Sequence, residues 1–318
     1  MRYSLVSRFR GTILGVLLGQ TLAKDYEQKS QNCFEMVKIA ILGTQSLISL
    51  GKLDLDDWLK RQQQRSFDLH INNKVSLQAI LATIPVALFF HENKIKLREN
   101  LLRVLQIWEY DPVVRDGTLA VGYAIAKSLT EKLQPRTLIP QIIAFLGETS
   151  TSIPQNLLKV NDLLEQGVGL EKAQAEFSKQ EKWSNAIAMA FYCFLSTLED
   201  FPLAVLRATD NGNVARLEAR NSHLQIIGAI TGALSGAYNS TVGIPVKWQI
   251  LLSSGNLTAW ELTSLDQMLE LADALVAVWS GVYSVALHPS ESQEQGCVMS
   301  NEQALLCVYA APHVIRSR

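Results

Sequence analysis

Gly228-Ala-Ile-Thr-Gly-Ala-Leu-Ser-Gly-Ala-Tyr-Asn-Ser-Thr-Val-Gly-Ile-Pro-Val-Lys-Trp248 is the stretch on which the fold turns. Gly228, Gly232 and Gly236 recur every fourth residue, so a helix would carry all three on one face. Glycine inside a helix costs about 1 kcal/mol relative to alanine. Three in register make sense where another backbone, or a ligand, must come very close. A membrane reading of this small-residue spacing fails, because no apolar run of about 20 residues surrounds it. Tight helix packing in a water-soluble core is the reading adopted.

The same spacing occurs near the start, in Arg8-Phe-Arg-Gly-Thr-Ile-Leu-Gly-Val-Leu-Leu-Gly19, with Gly11, Gly15 and Gly19 in step. Arg2, Arg8 and Arg10 ahead of the apolar run to Ala23 resemble the charged and apolar parts of a signal peptide. The glycine face favours a buried first helix instead. Periodicity elsewhere is also helical: Leu262, Leu265, Leu269, Ala272, Leu275, Val276 and Trp279 repeat at three and four, behind a Thr258–Glu261 capping box. Asp54, Asp56 and Asp57 ahead of Trp58 predict an acidic first turn. Further helices are expected over 34–50, 97–108, 112–129, 138–147, 155–166, 183–198 and 201–209, with Pro85 kinking or restarting the one between 77 and 90. The breaks, at 24–32, 148–154, 211–221, 239–245 and 288–300, are too short for interdomain linkers. No repeat of 34 or 40 residues is present. The expectation is one all-α domain over 1–318, a compact orthogonal array of roughly a dozen helices.

With 29 basic and 30 acidic residues the net charge is −1, which leaves no basic footprint for nucleic acid. The uncharged runs 75–90 and 274–287 are too short to span a bilayer, so no membrane segment is expected. Cys33, Cys193, Cys297 and Cys307 form no CxxC pair and fit buried thiols in a reducing, cytoplasmic setting. No phosphate loop, HExxH or GxSxG is present, and the histidines at 70, 91, 223, 288 and 313 have no metal-ligand spacing. The adjacent carboxylates Asp56–Asp57 and Glu199–Asp200 stand where helices begin, which is their ordinary place.

Four stretches together resemble the ADP-ribosylglycohydrolase (dinitrogenase-reductase-activating glycohydrolase) family over residues 8 to about 280, leaving 288–318 as a C-terminal extension. Arg8–Gly19 resembles the helix that leads into the family's Gly-Asp-Ala-Leu-Gly signature. Ser46-Leu-Ile-Ser-Leu-Gly-Lys-Leu-Asp-Leu-Asp-Asp-Trp58 resembles the segment after its first metal motif. Ile84-Pro-Val-Ala-Leu-Phe-Phe90 resembles the run after its Asn-Gly-x-x-Met-Arg motif, and 232–248 resembles the small-residue helix and turn after its second metal motif. The wording of that last stretch is similar to cyanobacterial members. The resemblance implies an all-α fold, cleavage of a glycosidic bond to ADP-ribose, and two magnesium ions held by carboxylates and a hydroxyl.

The chain departs from the family at the motifs themselves. The early Thr-Asp-Asp-Thr falls on Phe34-Glu-Met-Val37, so Glu35 and Met36 stand where aspartates are expected. The late Asp-x-Asp-Thr falls on His223-Leu-Gln-Ile226, the opening signature loses its aspartate to Gln20, and the Asn-Gly motif falls on 77–82. No aspartate lies between Lys38 and Leu53 or between Val214 and Leu265. Gln20, Glu35, Met36, His223 and Gln225 are thus the vestigial positions, with no catalytic residue and no metal ligand set. The leading expectation is a pseudoenzyme that binds a nucleotide, an ADP-ribose-like ligand or a protein, with no cofactor. The alternatives are a hydrolase remodelled around Glu35, Glu218 and His223, and a helical assembly protein. Helices 34–50 and 222–238 are expected to face each other across the site.

Overall fold

A computed structural model describes residues 3–23, 31–64, 77–107, 111–178, 183–210, 218–253 and 265–282. Within helices, the side chains of 31–35, 218–223 and 253 lie outside the description. The described residues form helices and no strands. In chain order the helices are α1 (Leu5–Leu22), α2 (Gln31–Leu50), α3 (Leu55–Gln64), α4 (Ala79–Ala82), α5 (Ile84–Phe89), α6 (Lys94–Leu105), α7 (Pro112–Leu129) and α8 (Pro135–Leu146). They continue with α9 (Ile153–Glu165), α10 (Leu170–Ser178), α11 (Trp183–Ser196), α12 (Phe201–Thr209), α13 (Glu218–Asn239), α14 (Val246–Ser253) and α15 (Leu265–Trp279). None is long and apolar enough to cross a membrane.

The two glycine faces meet. α1 and α13 run antiparallel, and Gly11, Gly15 and Gly19 lie against Gly236, Gly232 and Gly228. A methyl built on Gly15 would sit 2.0 Å from the Gly232 carbonyl oxygen, and one on Gly236 would sit 1.9 Å from that of Gly11. Both are far inside van der Waals contact, so no other residue type fits this seam. Around it, α13 buries Ile226, Ile230, Ala233, Leu234 and Ala237, and it is flanked by α7, α11 and α12. The expected central helix is therefore present, but its glycine face takes α1, and α2 meets α13 only over a short stretch.

Local chemistry explains the other elements. Asp111 and Asp200 cap α7 and α12, accepting from the N–H groups of Val113 and Leu203, and a proline follows each cap. Asp54 does the same for α3 through Asp57 N–H at 3.1 Å. The break before Pro85 separates α4 from α5 at Thr83. Asn93 starts α6 three residues earlier than the apolar pattern suggested, by accepting from Ile95 and Lys96 N–H, each at 3.0 Å. α10 is not visible in the sequence pattern, and α13 begins at Glu218, inside the expected 211–221 break. The Thr258–Glu261 capping box lies outside the described residues.

Arg8, Asp116 and His91 are buried. Arg8 reaches Glu131 at 2.6 Å and donates to the Ser128 carbonyl, joining α1 to the end of α7. Asp116 is fully buried, held by Arg115 at 2.8 Å, by Thr151 Oγ1 at 2.6 Å and by Thr149 Oγ1. His91 lies between the Phe9 and Trp279 rings, its Nδ1–H donating to the Leu88 carbonyl at 2.7 Å. Burial pushes this imidazole down to about 4, against the smaller opposing effect of the Leu88 carbonyl. The unfolded chain takes up this proton near pH 6.5 and the folded one does not, so stability falls as pH drops from about 7 towards 4. The full loss is roughly 3 kcal/mol at its limit. Urea midpoints measured between pH 7 and 4.5 should fall more steeply in the wild type than in His91→Gln; equal slopes would contradict the assignment.

Candidate functional site

Because α1 and α13 are antiparallel, the C-terminal end of α1 lies beside the N-terminal half of α13. Gly19 touches Gly228, so Gln20 and Gln225 sit at the same end of the seam. Both side chains are buried, and Gln225 Oε1 has no hydrogen-bond partner among the described residues. Met36 is 1% exposed and belongs to the core, and Val37 beside it is buried too. The backbone of Glu35 is part of α2, and those of Glu218 and His223 are part of α13, but their side chains lie outside the described residues. The segment 77–82 is buried throughout.

Val37 and Leu81, at two of the motif positions, line a common apolar cavity of about 40 Å³. Ile13, Val16 and Leu17 from α1, Ile41 from α2, Pro85 from α5 and Met268 from α15 complete much of its wall. Thr44 is the one polar residue in that wall, and its hydroxyl already donates to the Ala40 carbonyl at 2.8 Å. Such a lining offers nothing to orient a sugar hydroxyl or a phosphate. No three His, Cys, Asp or Glu side chains among the described residues come together as a metal ion requires. A thiol nucleophile is also excluded at Cys193, where burial pushes the thiol up to about 12. The cavity escaped the sequence reading because four distant stretches build it. Val37 was the one local clue, an apolar residue at a position where the family motif has a threonine.

Comparison with known proteins agrees with this architecture. A solved structure described as an "ADP-ribosylglycohydrolase-related protein complex" is similar in fold, with a TM-score of 0.55 over 86% of this chain and 98% of that one, at 16% identity. No curated protein matches the chain significantly. The model of the ADP-ribosylglycohydrolase family matches residues 42–284, beginning after Phe34–Val37 and leaving the α1 glycines outside the match. Since that match covers most of the sequence, the chain belongs to the ADP-ribosylglycohydrolase family.

Proposed function

We propose that this chain is a non-catalytic member of its family, a scaffold whose dinuclear magnesium site has been replaced by neutral and apolar side chains. The observation that carries the reading is Met36, 1% exposed where the resemblance places a carboxylate ligand. Magnesium is a hard cation that needs charged or carbonyl oxygens in octahedral array. Met36 brings a soft thioether, Val37 brings no donor, and Gln20 and Gln225 bring uncharged amides. These residues do not fit the metal pair. Even changes behind the ligands cost about 10–100-fold in metal affinity, so losing the ligands themselves costs more. Scaffold and site are separable, and the retained fold can serve recognition of a nucleotide, an ADP-ribose-like ligand or a protein.

Calorimetry with magnesium and ADP-ribose, combined with release assays on ADP-ribosylated arginine and serine peptides, tests this. The expected outcome is no metal-stimulated turnover and no magnesium uptake linked to ADP-ribose. Turnover that rises with magnesium and is abolished by Glu35→Gln would establish instead a hydrolase with a remodelled site.

A further inference from the structure

α12 carries an unusual outward face. Leu203 and Leu206 are 44% and 50% exposed, and Arg207 follows them one helical turn from Leu203. Thr209, two residues on, faces Gly228 of α13, so the Arg207 side of α12 points away from the glycine seam. The guanidinium is fixed from below. It lies over the Tyr192 ring at 5.5 Å from the centroid and donates to Tyr192 Oη at 3.1 Å, while that hydroxyl donates to the Val168 carbonyl. No carboxylate pairs with it among the described residues, although Arg8, Arg10, Arg61 and Arg115 each have one. Its Nε is buried without an acceptor.

A half-buried guanidinium bears part of its desolvation cost, and among the described residues no counter-ion offsets it. Its plane is already held by the phenol, so its remaining N–H groups form a pre-organised edge suited to a carboxylate. The two leucines beside it call for branched aliphatic contacts. We propose that the Leu203–Leu206–Arg207 face is an interaction surface for a segment of another protein in which a carboxylate lies among branched aliphatic side chains. This surface is separate from the site discussed above and stands whether or not that site is catalytic.

The minimal probe is 4-methylpentanoate, titrated into the deuterated full-length chain while amide resonances are followed by NMR. Saturable shifts are expected at residues 203–207 and at Tyr192. Arg207→Gln should weaken the binding at least ~5-fold, the scale of a charge-assisted contact. Leu206→Ser, a change at an exposed position, should weaken it about 2-fold or more while leaving the rest of the spectrum unchanged. The absence of shifts, equal shifts with isoamylamine, or equal shifts with inorganic phosphate alone would each overturn the proposal.

Discussion

Gly232→Ala is expected to cost about 4 kcal/mol or more, an extreme loss for the addition of one methyl group. The usual cost of overpacking is about 1–3 kcal/mol, because side chains can rotate aside. Here the added carbon would lie 2.0 Å from a backbone oxygen of Gly15, and a backbone cannot rotate aside. The helices must separate along the whole seam, which strips contacts from Gly11 to Gly236 together. Gly15→Ala should do the same. The double variant should cost much less than twice either one, since the seam opens only once. Gly169→Ala is the control: nothing lies within 4 Å of its added carbon, and it should stay within about 0.5 kcal/mol of wild type. Urea melts followed by circular dichroism read all four. A mild Gly232→Ala phenotype would mean that the two helices do not meet backbone to backbone.

Met36→Asp is expected to destabilise by about 3 kcal/mol or more, because it places an unpaired charge at a position 1% exposed. The same substitution also separates the two readings of the site. A filled, dry site rejects the aspartate with or without magnesium. A hydrated site still shaped for a cation accepts it, and gains stability only when magnesium is added. Melts of wild type and variant in magnesium and in chelator decide between them, and stabilisation confined to magnesium would reverse the non-catalytic assignment.

What could be read from the sequence was what glycine, proline and short polar caps dictate locally. The paired glycine faces announced a backbone contact because few other structures tolerate that cost twice. Asp-Pro at 111–112 set the start of α7, and Asp200 with Pro202 set that of α12, at the residues observed. α10 was not legible because it buries only Ala173 and Phe177, too few for a periodic signal. Nor did the pattern say which helix α13 would receive: small faces show that something comes close, and only the fold shows what. The site was legible only as departures from the family's motifs. Missing aspartates can be seen in one dimension, whereas the apolar cavity beside Val37 needs residues from α1, α2, α4, α5 and α15 to be brought together in three.

The seam also sets a timetable. Gly15 and Gly232 touch yet are separated by more than two hundred residues, so synthesis delivers one face long before the other. At about 5–20 residues per second, the first helix waits roughly ten to forty seconds for its partner to be made. Throughout that interval its glycine strip has no native surface to close upon, and closing so long a loop is slow in its own right. This backbone-to-backbone contact is therefore among the last that a growing chain can form.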